Sequence, residues 1–162
     1  QPNHKAKLSV HTDLKALRDA KVILTVSSAV DAIIQPEYLQ PGSVICDVAR
    51  PRDVAASVAA QRQDVLVIDG GMVDVPGSAN FNFDFGFPPG KAYACMAETI
   101  TLALEGRFED YTLGKDISRE RVDEINQMAE KHGFELSGFR SFERPVTMEQ
   151  IERIKNNAKY HS

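Results

Sequence analysis

Short aliphatic and β-branched runs recur along the first half of the chain, at residues 7–10 (KLSV), 21–27 (KVILTVS), 43–48 (SVICDV) and 64–69 (DVLVID). Their near-continuous apolar character, rather than strict alternation, predicts strands covered on both faces, as in a parallel sheet. Between them lie helical segments at residues 12–20, with Thr12 as N-cap, and at residues 52–61 following Pro51. Gln40, Pro41 and Gly42 make a turn into the third run. This rhythm predicts parallel strands joined by crossovers, an α/β organisation.

Each clear strand ends in small or polar residues: Ser27, Ser28 and Ala29; Asp47 and Val48; Gly70 and Gly71. In open parallel sheets, ligands bind outside the carboxyl ends of the strands, so these residues are the expected cofactor contacts.

After Gly71 the pattern changes. Phe81, Phe83, Phe85 and Phe87 alternate with Asn82, Asp84 and Gly86, and in an extended segment all four rings would share one face. Two readings stay open: a loop clamped onto the core, or the wall of an apolar substrate pocket. Pro88, Pro89 and Gly90 end that run, and residues 91–105 (KAYACMAETITLALE) predict a helix stopped by Gly106. A second helix is expected over residues 119–132, capped by Ser118 and ended by Gly133, with Val122, Ile125, Met128 and Ala129 on one face. A third starts at Met148 behind a capping box of Thr147 and Gln150.

Composition narrows the function. With 162 residues and 43% hydrophobic content, the chain can bury a substantial core. Its 19 basic and 23 acidic residues are scattered, giving a net charge of -4, which argues against a nucleic-acid partner. No apolar run is long enough to span a bilayer and the N-terminus lacks a signal-peptide pattern, so a cytoplasmic protein is expected. The histidines, His4, His11, His132 and His161, are dispersed and predict no metal site.

The expected G-x-G-x-x-G turn of a dinucleotide-binding domain does not occur in the sequence. The chain therefore reads as the second half of a Rossmann-like doubly wound parallel sheet followed by a helical C-terminal tail. Its expected division is residues 1–90 for the C-terminal half of the nucleotide-binding domain and residues 91–162 for a helical segment. As a fragment it is expected to bind cofactor weakly alone. An incomplete sheet exposes an edge strand, so a homo-oligomer is expected.

Two cysteines carry the remaining chemistry. Cys46 lies inside SVICDV and reads as core. Cys95 lies near the start of the helix expected from Lys91, where the macrodipole favours an anion, and Lys91 four residues earlier would share its face. Cys95 is therefore expected to react ahead of Cys46.

The stretches IDGGMV (residues 68–73), YACMAETITLALEG (93–106) and EKHGF (130–134) together resemble the C-terminal half of the long-chain acyl-(acyl-carrier-protein) reductases. Relatives of that family are often labelled predicted amino acid dehydrogenases. The resemblance spans roughly residues 20 to 136, and its most specific part is the spacing around Cys95. It implies an NADP-dependent reductase, with NAD an alternative, that converts an acyl thioester of acyl carrier protein or CoA to an aldehyde. The implied catalytic residue is Cys95, which takes the acyl group, with Lys91 supporting the thiolate or the developing oxyanion. The nicotinamide would face Cys95, between Ser27, Ser28, Ala29, Asp47, Val48, Gly70 and Gly71. Two alternatives are a dehydrogenase of amino-acid or shikimate type without a covalent intermediate, and a non-catalytic interaction domain.

Overall fold

The computed structural model describes residues 6–114 and 117–160, so His4 and His161 lie outside the described residues. The chain is a mixed α/β protein that divides into two compact units, residues 1–68 with 146–162, and residues 69–145. The boundary expected at residue 90 falls inside the second unit.

The first unit is built on three strands in the order β1 (Val22–Thr25), β2 (Val44–Asp47) and β3 (Leu66–Asp69), forming a parallel sheet. β1 and β2 are in register from Val22 opposite Val44 to Thr25 opposite Asp47. Ile23 and Ile45 fill the covered face, together with Ile34, Val54 and Val58. Val58 comes from α1 (Ala56–Gln61), which starts later than the sequence predicts. The reason is local: Asp53 and Val54 are held in a loop by the carboxylate of Asp47, described below, so the helix cannot begin before them.

Three further expectations for this unit are corrected. Residues 7–10 form no strand, and Leu8 and Val10 are exposed, because nothing pairs with them among the described residues. β1 is not covered on both faces: Val22 is 79% and Leu24 66% exposed, while Ile23 and Thr25 are buried. A continuous apolar run marks a strand built for two-sided burial, but here only one side of β1 is covered. The segment at residues 12–20 becomes a short 3-10 helix, Leu14–Asp19, whose N-cap is Asp13 rather than Thr12; the Asp13 side chain accepts from the Lys15 amide.

The last helix, α4 (Met148–Tyr160), the expected helical C-terminal segment, belongs to this unit. Its capping box is reciprocal: the Gln150 amide donates to Thr147 Oγ1 at 3.2 Å and the Thr147 amide to Gln150 Oε1 at 2.8 Å. Ile154 is buried. Ala158 lies so close to Gly42 that a Cβ there would stand 2.4 Å from the Ala158 Cα. Gly42 is therefore required twice, for its φ of +78° and for this approach.

The second unit holds the antiparallel sheet β5 (Lys91–Tyr93), β4 (Met72–Asp74) and β6 (Glu135–Leu136), with β4 central. Helix α2 (Ala94–Leu104) follows β5 directly, and α3 (Arg119–Lys131) follows with Ser118 as its cap. A small hairpin, β7 (Arg140–Ser141) with β8 (Arg144–Pro145), ends the unit. Residues 91–93, expected to open the helix, are instead a strand. They pair with β4 across a register of Met72 to Tyr93 and Asp74 to Lys91, and those tertiary hydrogen bonds override the local helical pattern.

The ends of α2 and α3 are joined electrostatically. Glu105 accepts from Lys131 Nζ at 2.7 Å and lies 2.6 Å from His132 Nε2. Both contacts, Lys131 first, hold its carboxyl below the usual range. Tyr111, buried, donates to Glu124 Oε2 at 2.5 Å and to the Arg121 carbonyl at 3.0 Å. Among the described residues no helix is long and apolar enough to cross a membrane.

Candidate functional site

In the first unit, the carboxyl ends of β1 and β2 are tied together by two buried carboxylates, Asp47 and Asp53. Asp47 ends β2 and turns its side chain into the following loop. Its Oδ1 accepts from the amides of Ala49 at 3.1 Å and Asp53 at 3.4 Å, and its Oδ2 from Val54 at 3.0 Å. Asp53 reaches across to β1, accepting from the Thr25 hydroxyl, the Ser27 hydroxyl and, at 2.9 Å, the Ser27 amide. The Asp53 carbonyl accepts from the amides of Ile33 at 2.9 Å and Ile34 at 2.8 Å. Burial works to raise the Asp53 carboxyl, but the hydrogen bonds from Ser27 and Thr25 outweigh it and hold it below the usual carboxylate range.

These contacts sort the residues expected at the strand ends. Asp47 is consumed in shaping the loop after β2 and presents nothing outward. Ser27 has its amide and hydroxyl directed to Asp53, and its Oγ also accepts from the Ala29 amide at 3.1 Å. Ser28 and Val48 are exposed at the strand ends, and Ala29 is half-buried. Asp53 was not among the residues expected from sequence. Its one visible signal is a carboxylate set in a loop just beyond a strand end, in Arg50-Pro51-Arg52-Asp53, and its partners lie 26 and 28 residues away.

In the second unit, Gly70 and Gly71 lead from β3 into β4. Gly71 has a φ of +76°, and its carbonyl accepts from the Ala94 amide at 2.5 Å. That bond fixes the first residue of α2 and places Cys95 at the second position of the helix, exposed. The N-cap, Tyr93, supplies no side-chain hydrogen bond, so the first turn of the helix relies on backbone and solvent partners. The Cys95 carbonyl accepts from Thr99 Oγ1 at 3.2 Å.

Lys91 does not sit one helical turn before Cys95, because it belongs to β5. Its Nζ donates to Asp74 Oδ1 and to Ser137 Oγ, which pins the ammonium on the sheet. Ala92 is fully buried, and strand alternation places Lys91 and Tyr93 together on the opposite face of β5.

The four phenylalanines form a cluster outside regular structure. Phe85 is its hub, with ring centroids 4.7 Å from Phe83, 5.5 Å from Phe87 in a stacked arrangement and 6.0 Å from Phe81 edge-on. Phe87 packs edge-on against Tyr93 at 5.0 Å. The rings converge through turns rather than strand alternation. The Asn82 amide donates to Asn80 Oδ1 at 2.9 Å and the Gly86 amide to Asp84 Oδ1 at 2.8 Å, with Asn82 and Gly86 at positive φ. Residues 79–85 with 87–89 and Lys91 line a cleft of about 510 Å³.

No family model matches the chain. It is 32% identical over 157 residues to the aminotransferase PigE of Serratia sp. (strain ATCC 39006), an alignment covering 94% of this chain and 18% of that protein. It is 27% identical over 126 residues to the long-chain acyl-[acyl-carrier-protein] reductase of Synechococcus elongatus (strain ATCC 33912 / PCC 7942 / FACHB-805), covering 74% of this chain and 36% of that protein. The chain thus spans 18% and 36% of the lengths of these curated relatives. The second similarity is distant and supports a reductase relationship at that level.

Proposed function

We propose that this chain is the thiol-bearing part of an NADP-dependent reductase that converts an acyl thioester to an aldehyde, with Cys95 as acyl acceptor. The observation that carries the reading is the placement of Cys95, an exposed thiol at the second position of an eleven-residue helix without a side-chain cap. The positive end of the macrodipole favours the oxyanion formed when the sulfur attacks a carbonyl. The similarity to an acyl-[acyl-carrier-protein] reductase supplies the substrate class.

In this reading Cys95 Sγ bonds to the thioester carbonyl carbon as the carrier's sulfur leaves with a proton, giving an acyl-cysteine. NADPH, when bound, supplies the hydride that releases the aldehyde. Gly71 sets the first turn of α2 through its carbonyl. Lys91 has its ammonium directed to Asp74 and Ser137, so its role is to tie β5 to those residues rather than to touch the thiol.

The residues fit one end of a dinucleotide better than the other. The strand ends of the first unit offer Ser28, Ala29 and Val48, with Ser27 and Asp47 shaping them; Gly70 and Gly71 follow β3 in the second unit. They lack a glycine turn for the pyrophosphate. The uncovered apolar side of β1 supports reading this sheet as half of a larger doubly wound one. Carrier protein or CoA would be the partner, and the open β1 edge is consistent with a homo-oligomer.

An aminotransferase reading has less support. The alignment covers 18% of that relative, and no lysine among the described residues is buried, the environment that activates a Schiff-base lysine. Intact-mass analysis of the protein with dodecanoyl-CoA tests the proposal. A mass gain equal to one acyl group, lost on hydroxylamine treatment and missing in Cys95→Ala, is expected. An unmodified protein under turnover conditions overturns it in favour of a dehydrogenase without a covalent intermediate.

A further inference from the structure

The phenylalanine cluster is larger than the packing of its loop requires. A loop that only clamps onto a core buries its rings against that core, yet here Phe83 is 70% exposed and Phe85, the hub, is exposed as well. Their aromatic neighbours are each other and Tyr93. The cleft they border, about 510 Å³, falls in the size range of small-molecule sites.

The chemistry around the rings selects a neutral, aliphatic occupant. Two polar side chains of the segment are turned to their own backbone, Asn80 accepting from the Asn82 amide and Asp84 from the Gly86 amide. Asp84 is an exposed carboxylate at the rim, and the one cation lining the cleft, Lys91, is ion-paired with Asp74. An anionic ligand would meet repulsion and no free positive charge, whereas an alkyl chain would cover the exposed ring faces.

The lining of the cleft leads to the start of α2. Lys91 lines it, Phe87 packs on Tyr93, and Tyr93 is the N-cap of the helix whose second residue is Cys95. Three residues separate Lys91, in β5, from Cys95, at the second position of α2. We propose that the cleft bordered by Phe81, Phe83, Phe85 and Phe87 holds the hydrocarbon chain of the acyl group while Cys95 takes its carbonyl. This rests on the acyl-acceptor reading above and names the part of the substrate the rings select.

The test has two arms on the full chain. In the first, binding of the neutral probe N-phenyl-1-naphthylamine is followed by fluorescence in Cys95→Ala, with displacement by dodecanol. Saturable, displaceable binding is expected, weakened about tenfold by adding Phe83→Ala and largely restored by Phe83→Leu. Phe83 is chosen because its exposure makes folding insensitive to its loss. In the second, acylation rates of Cys95 are compared for acetyl-CoA and dodecanoyl-CoA. Phe83→Ala should slow the dodecanoyl reaction about tenfold while sparing the acetyl reaction. Probe binding without acylation by either thioester would sink the acyl-acceptor reading and leave the cleft standing as an apolar site. Absence of displaceable probe binding, or equal effects of Phe83→Ala on both thioesters, would overturn the cleft proposal itself.

Discussion

Replacing Asp53 by Asn isolates the charge that ties β1 to the loop after β2. The Asn amide fills the same space and can still accept from the Ser27 amide and the Thr25 hydroxyl through its oxygen, and donate to Ser27 Oγ through its nitrogen. What changes is charge assistance in three hydrogen bonds, about 1 kcal/mol each, or about 3 kcal/mol in all. Desolvating an amide costs less than desolvating a carboxylate, which returns part of this, and the expected net loss is about 1–2 kcal/mol. In a chain of this size that is a fall in Tm of about 2–8 °C. Asp53→Leu, which strands the Thr25 hydroxyl and the Ser27 amide, should cost about 3–5 kcal/mol. The pH dependence gives the sharper test. Because the folded-state pKa is lowered, the stabilisation is complete above the unfolded value of about 3.9 and is lost as pH falls through the lowered folded value. Urea unfolding at a series of pH values should therefore show a constant gap between wild type and Asp53→Asn from pH 7 to about pH 5, closing below about pH 4. A gap that stays constant down to pH 3, or an Asn variant as stable as wild type at pH 7, would refute the account of a charge held by Ser27 and Thr25.

Gly42→Ala should destabilise by about 3 kcal/mol or more, since its Cβ would meet the Ala158 backbone at 2.4 Å in a left-handed conformation; limited proteolysis should then cut α4 first, and a wild-type Tm would contradict the packing of α4 on that turn. Iodoacetamide should label Cys95, exposed, before the half-buried Cys46, and Lys91→Met should leave the Cys95 rate unchanged because the ammonium is engaged by Asp74; peptide mapping across pH reads both. Glu105→Gln should speed hydrogen exchange at the end of α3 by loosening the contacts with Lys131 and His132. That difference belongs to neutral pH: the carboxylate contribution is present above the ordinary Glu range and fades as pH falls through the lowered value.

The sequence by itself determined what repeats locally. β1, β2 and β3 are legible because β-branched runs bounded by turn residues encode extended backbone wherever they sit. Ser118, and the Thr147 and Gln150 pair, are legible because a cap is satisfied within its own first turn. Cys95 could be singled out from its neighbours for the same reason, as a thiol near a helix start. Tertiary structure decided everything that depends on a distant partner. Residues 91–93 carry a helical pattern and become a strand because β4 offers hydrogen bonds across the sheet, and this moves Lys91 off the helix and Cys95 up to its second position. Asp47 reads as a strand-end polar residue and Asp53 as part of an expected helix, yet their roles are set by amides and hydroxyls brought to them by folding. The alternation of Phe81 to Phe87 shows four rings, while two turns at positive φ decide that they meet around Phe85. Periodicity reports the preference of a segment for one backbone state, and long-range hydrogen bonds and burial, worth more than that preference, decide where it is overruled.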